Sequence, residues 1–90
     1  MFLLENADQT GPTTKVQAGF YAFAVWGDLG TSTATLQRRL DPGEKWLSVG
    51  DAAAFDDEGQ MGVDLPAGLY RVLIEGSDAS GVYATLEKIS

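Results

Sequence analysis

Phe20-Tyr21-Ala22-Phe23-Ala24-Val25-Trp26, closed by Gly27-Asp28-Leu29-Gly30, is the stretch that decides the fold. Aromatic and β-branched side chains suit a pleated surface, and the two glycines supply the backbone freedom of a turn, so the run reads as a β-strand. Side chains alternate across a strand, which puts Tyr21, Phe23 and Val25 on one face and Phe20, Ala22, Ala24 and Trp26 on the other. Both faces are apolar. A sheet in a two-layer sandwich buries one face against its partner sheet, so the second face of this strand requires a further cover. Phe20, Ala22, Ala24 and Trp26 are therefore the candidate oligomer interface.

The same period of two continues along the chain in short segments separated by glycine and proline. Thr33 to Leu40 alternates, with Ala34, Leu36 and Leu40 on a face that Arg38 interrupts and Thr33, Thr35, Gln37 and Arg39 on a face expected to meet water. Asp41-Pro42-Gly43-Glu44 has the chemistry of a type II turn and leads into Lys45 to Val49, which predicts an antiparallel hairpin. Residues 50–59 read as a loop with room for one helical turn capped by Asp51. Gln60 to Leu65, Leu69 to Glu75 and Val82 to Ile89 read as strands, and Thr14 to Ala18 and Phe2 to Glu5 as edge strands. The sum is an all-β protein, a small antiparallel β-sandwich of about seven to eight short strands, with no room for a βαβ crossover. Residues 1–14 form an N-terminal arm or edge strand and residues 15–90 a single sandwich domain.

Composition narrows the chemistry. The chain has 90 residues, 6 Lys plus Arg, 13 Asp plus Glu, no His and no Cys, for a net charge of -7. Without His or Cys there is no Ser-His or Cys-His relay, no thiol nucleophile and no ordinary zinc or iron–sulfur site. The expectation is a non-enzymatic protein with no cofactor and no metal. Nucleic-acid affinity rests on Lys and Arg releasing counterions, so this charge balance argues against a nucleic-acid partner. Met1-Phe2-Leu3-Leu4 is followed at once by Glu5, with no basic region before it, and no apolar run approaches the roughly 20 residues of a membrane span; the expectation is a soluble, cytoplasmically made protein. Four apolar residues at a terminus, set off by the polar stretch Glu5 to Thr14, make Met1, Phe2, Leu3 and Leu4 a candidate attachment arm, with an ordinary edge strand as the alternative.

Other features read as structural. Three adjacent carboxylates in Asp56-Asp57-Glu58 cannot all turn toward one ion, and they lack the alternation of a calcium loop. Arg38-Arg39 points to opposite faces of its strand and reads as edge protection or a single contact. Trp46, beside a tight hairpin, is expected at or near the core, whereas Trp26 belongs to the uncovered face.

The order of segments also resembles a known group. Ala34-Thr35-Leu36-Gln37, Pro42 to Gly50, Val63-Asp64-Leu65-Pro66-Ala67-Gly68-Leu69-Tyr70-Arg71-Val72 and Gly81-Val82-Tyr83-Ala84-Thr85-Leu86 together resemble small tailed-bacteriophage virion proteins of the head-decoration or head-fibre type, over roughly residues 20 to 89. The resemblance implies a jelly-roll-like sandwich, assembly as a homotrimer, a phage capsid or other virion protein as partner, and a place on the outer surface of the virion after synthesis in the host cytoplasm. It implies no enzyme activity. An acidic protein is repelled by packaged DNA, which suits an outward position. The alternative is a carbohydrate- or receptor-binding sandwich whose Trp and Tyr residues form a glycan platform.

Overall fold

The computed structural model describes residues 1–40, 45–49 and 54–90. Among these the chain is all strand, turn and loop, with nine strands: β1 (Phe2–Ala7), β2 (Thr14–Val16), β3 (Gly19–Asp28), β4 (Thr33–Leu40), β5 (Lys45–Ser48), β6 (Ala54–Phe55), β7 (Gly59–Leu65), β8 (Gly68–Glu75) and β9 (Ser80–Lys88). Four antiparallel pairs nest about the connection between β4 and β5: β4 with β5, β3 with β7, β2 with β8, and β1 with β9. Successive pairs alternate between layers, giving the order β1-β9-β3-β7 in the first sheet and β2-β8-β4-β5 in the second, with β6 also on β4. A two-stranded ribbon wrapped in this way is a jelly roll, the form of β-sandwich built from two Greek keys.

The core follows from the period of two. Tyr21, Phe23 and Val25 of β3 and Val82, Ala84 and Leu86 of β9 face Leu36 of β4 and Tyr70, Val72 and Ile74 of β8, all of them buried. Burying a large apolar side chain stabilises the fold by roughly 1.5–3 kcal/mol, and this interdigitated layer holds the two sheets together. Phe23 meets Phe55 edge to face, with ring centroids 5.5 Å apart, so the two-residue β6 is held by an aromatic contact across the layers. Two tyrosines tie down the turns before their own strands: Tyr21 Oη donates to the Gln17 carbonyl at 2.7 Å and Tyr70 Oη to the Pro66 carbonyl at 2.6 Å. At the opposite end of the sandwich the Asp78 carboxylate accepts from Thr31 N and Thr31 Oγ1 at 2.8 and 2.9 Å and from Ser32 Oγ at 2.9 Å, joining the loops after β3 and β8.

Four expectations need correction. The first concerns the amino end. Leu3 and Leu4 are 1% and 2% exposed, and β1 pairs with β9 as the edge-strand alternative has it, so these two leucines belong to the protein's own core and, of the four residues of the candidate arm, only Met1 and Phe2 face outward. Strict alternation would bury one leucine; a register shift between Phe2 and Leu4 turns both inward, as a bulge does. The polar stretch beyond is held as well, with Ile74 N donating to Thr10 Oγ1 and Gly11 N to the Val72 carbonyl. Second, Thr35 and Gln37 on the outward face of β4 are 6% and 9% exposed, and a longer side chain of a neighbouring strand lies across Gln37. Arg71 Nε donates to Gln37 Oε1 at 2.9 Å, and the Arg71 guanidinium sits 4.2 Å from the ring centroid of Trp46. Third, Trp46 lies opposite Arg39 on this same outer face, half-buried under Arg71, and not between the sheets. Fourth, residues 54–55 form β6 where a loop was expected. The Asp41 to Glu44 turn and the turn capped by Asp51 lie outside the described residues, while the β4–β5 pairing on either side of the former is antiparallel as expected.

Candidate interaction face

The outer face of the first sheet gathers the residues that the sequence singled out. Pairing of β3 with its two neighbours places Trp26 opposite Tyr83, Ala24 between Thr85 and Gln60, Ala22 between Glu87 and Gly62, and Phe20 opposite Asp64. Phe2 joins from β1 through its pairing with Thr85. Phe2, Phe20 and Trp26 remain 50%, 41% and 38% exposed, whereas Ala22 and Ala24 are half-buried beneath their taller neighbours.

The aromatics form one cluster and one outlier. Trp26 and Tyr83 stack with centroids 5.4 Å apart and planes within 6°, and the Phe2 ring packs at 6.2 Å from Tyr83 and 6.3 Å from Trp26. Such ring pairs contribute about 0.5–1.5 kcal/mol beyond the area they bury, so the cluster is a preorganised knob. Phe20 stands at the far end and leans over Gly62: a Cβ on that glycine would lie 2.6 Å from the ring's Cζ. Between knob and ring the outward row is a strip of small residues, Ala22, Ala24 and Gly62, flanked by the polar side chains of Gln60, Thr85 and Glu87. Gly27 makes the knob's local geometry feasible. Its φ of +112° and the absence of a side chain let β3 bulge against β9, where a Cβ would lie 2.2 Å from the Gly81 carbonyl oxygen. Glu58 Oε2 accepts from Gly27 N at 3.0 Å and fixes the bulge.

Phe2 and Tyr83 are members of this face that the local sequence pattern does not assign to it. Tyr83 was legible as an outward residue of the last strand, but nothing in the local pattern shows that β9 lies between β1 and β3.

Two other regions bear on chemistry. At one end of the sandwich a cleft of about 250 Å³ is lined by Arg38, Leu40, Leu47, Val49, Asp64, Leu65, Pro66 and Tyr70 among others. Burial raises the Tyr70 phenol above its ordinary pKa of 10.0 against a lowering influence from Arg38, and its hydroxyl is already engaged with the Pro66 carbonyl. Among the described residues of the lining, Ser48 carries the one aliphatic hydroxyl and Asp64 the one carboxylate, and no hydrogen bond joins them. In the acidic stretch, Glu58 is bonded to Gly27 N and Asp57 Oδ1 accepts from Glu58 N, so these carboxylates serve separate local bonds. Among the described residues no group of three or more carboxylates is placed to hold a metal ion.

Fold and face together define a small jelly-roll domain with a preorganised aromatic outer surface. No family model, no curated protein and no solved structure matches the chain.

Proposed function

We propose that the chain is a non-enzymatic structural component of a bacteriophage virion, an oligomeric capsid-decoration or head-fibre protein that assembles through the outer face of its first sheet. The observation that carries this reading is the contrast between the two outer faces. On the second sheet Arg71 bonds Gln37 and stacks on Trp46, so this part of the outer face is closed within the chain itself, and Thr35 and Gln37 are buried. On the first sheet Phe2, Phe20 and Trp26 stand partly exposed around a strip of alanine and glycine bordered by Gln60, Thr85 and Glu87. Large aromatics clustered on an otherwise acidic surface are the residues that anchor protein interfaces, and a specific interface buries about 800 Å² on each partner. Closure about a three-fold axis, as the resemblance suggests, would bury Phe20, Ala22, Ala24 and Trp26 between copies. Jelly rolls are used both by viral capsid proteins and by lectins, so the architecture is compatible with the reading and does not by itself select it.

The lectin-like alternative has one feature in its favour: Thr85 and Gln60 flank Ala24 in the same row and offer polar groups beside an aromatic platform. Against it, the stacked pair Trp26 and Tyr83 each give one ring face to the other, and Phe2 packs on both, which reduces the flat area left for a sugar ring.

Particles purified from a phage or lysogen encoding this gene provide the test. Immunogold labelling and mass spectrometry should find the protein on the particle exterior in a fixed copy number. Recovery only in the soluble lysate, with binding to a glycan array, would replace this reading with the carbohydrate-binding one.

A further inference from the structure

Each sheet of an open sandwich has two edges, and unpaired edge strands recruit other strands unless they are blunted. Among the described residues, three of the four edges are blunted. β1 carries two register irregularities against β9 and a left-handed Asn6 at φ 51°. β2 is three residues long and carries Lys15. The last edge is shared by the short strands β5 and β6, with Lys45 at its start. β7 differs from all of these. It runs for seven residues, Gly59–Leu65, in unbroken register with β3 from Gly19↔Leu65 to Val25↔Gly59. It contains no Pro, Lys or Arg, its one charge is Asp64, and among the described residues no strand pairs with its other side.

We propose that β7 is a second assembly contact, at which another copy of this chain adds its own β7 antiparallel about a two-fold axis through Gly62. The self-pairing follows from the sequence of the strand. A two-fold axis perpendicular to the sheet keeps outward residues opposite outward residues, so only every second register is allowed. Centred on Gly62, the pairing sets Met61 against the second copy's Val63 on the inner face and Gln60 against its Asp64 on the outer face. Both are matched pairs, one apolar and one a hydrogen-bonding amide with a carboxylate. Centred one residue earlier, Asp64 would oppose Glu58; one residue later, Gln60 would oppose Pro66, which has no N–H to give. The glycine at the axis has a further role. Phe20 leans over Gly62 and is 41% exposed, so two adjacent glycines bring two Phe20 rings side by side above a backbone with no side chains in the way. The first sheets of the two copies then form one continuous sheet.

This inference rests on the reading that copies of the chain associate, and it adds a two-fold contact to the three-fold one proposed above. Sedimentation equilibrium of the full chain separates the two. Gln60→Asp places like charges opposite each other twice per contact and should weaken the two-fold association roughly tenfold. Asp64→Lys combined with Gln60→Asp restores two opposite-charge pairs and should associate more tightly than Asp64→Lys alone, although the double variant is the more negative protein. Gln60 and Asp64 are exposed, so these variants should keep the parent's circular dichroism. An order of affinity that merely follows net charge, or association unchanged in all three variants, overturns the β7 contact and leaves that edge to a strand of another protein or to solvent. Gln60 and Asp64 also border Ala24 and Phe20 on the outer face, so the two contacts are told apart by the mass left behind. Trp26→Asp leaves a two-fold species if only the aromatic face fails, and the parent protein gives a three-fold species whose association the Asp64→Lys and double variants do not reorder if only the β7 contact fails.

Discussion

Leu4→Ala is the substitution that separates an integrated first strand from a free arm. The Leu4 side chain is 2% exposed, lies on a bulge of β1 that also buries Leu3, and packs where the chain returns at Gly11: a Cβ on that glycine would lie 2.5 Å from Leu4 Cδ2. Truncating a leucine so enclosed removes its burial and leaves a cavity, at a cost of about 2–5 kcal/mol. For a domain of this size each kcal/mol moves the thermal midpoint by about 4–8 °C, so the midpoint should fall by at least about 8 °C. Phe2→Ala is the matched control on the same strand. Phe2 is 50% exposed and contributes mainly its ring contacts with Trp26 and Tyr83, worth roughly 1 kcal/mol together with modest burial, so its drop should be no more than half that of Leu4→Ala. Differential scanning calorimetry at one fixed protein concentration makes the comparison, because association would otherwise move the midpoint by mass action. A Leu4→Ala midpoint within about 2 °C of the parent, or equal drops for the two variants, would show that β1 is not docked on β9 in solution and would reinstate the arm.

Acid should unlock the loops joined by Asp78. Hydrogen bonds from Thr31 N, then Ser32 and Thr31 hydroxyls, hold its carboxyl below the ordinary 3.8, so its contribution is fully present above that value and is lost only as pH falls through the lower folded-state pKa. Denaturation followed from pH 5 down to about pH 2 should lose part of its acid limb in Asp78→Asn, and an unchanged limb would contradict the assignment. Thermal midpoints with chelator and with millimolar calcium should coincide, since Glu58 and Asp57 already serve backbone N–H groups; a calcium-dependent rise would reveal a bound ion. Arg71→Ala should uncover Trp46, seen as a red-shifted emission component and stronger acrylamide quenching, whereas unchanged emission would mean the guanidinium does not cover that ring in solution.

The doubly apolar run from Phe20 to Trp26 is where sequence and structure agree most directly. Alternation separated Tyr21, Phe23 and Val25, which are in the core, from Phe20 and Trp26, which stand on the outer face. Alternation failed where the backbone departs from a regular strand, as at Leu3 and Leu4, since a bulge depends on the partner strand and leaves no local mark. It failed again at Thr35 and Gln37. Small and medium polar residues are expected to be wet, but over Gln37 lies Arg71, which comes from β8 and stacks on Trp46 of β5, and only the sheet order brings both to β4. The aromatic knob has the same origin. Phe2, Trp26 and Tyr83 are far apart in the chain and meet because the wrapped ribbon puts the first and last strands beside β3. The hydroxyls of Tyr21 and Tyr70 each reach a carbonyl four residues back, a short-range relation that a turn followed by a strand does expose once it is looked for.

Self-association through the outer face of the first sheet is the central claim, and the molar mass in solution tests it most directly. Light scattering after size exclusion at micromolar concentration should give a multiple of the 9.6 kDa chain, three-fold for a closed ring and six-fold where rings pair through β7. Trp26→Asp should lower that mass toward the single chain, while Trp46→Asp should leave it in place. A parent protein that elutes at 9.6 kDa at that concentration would contradict the claim.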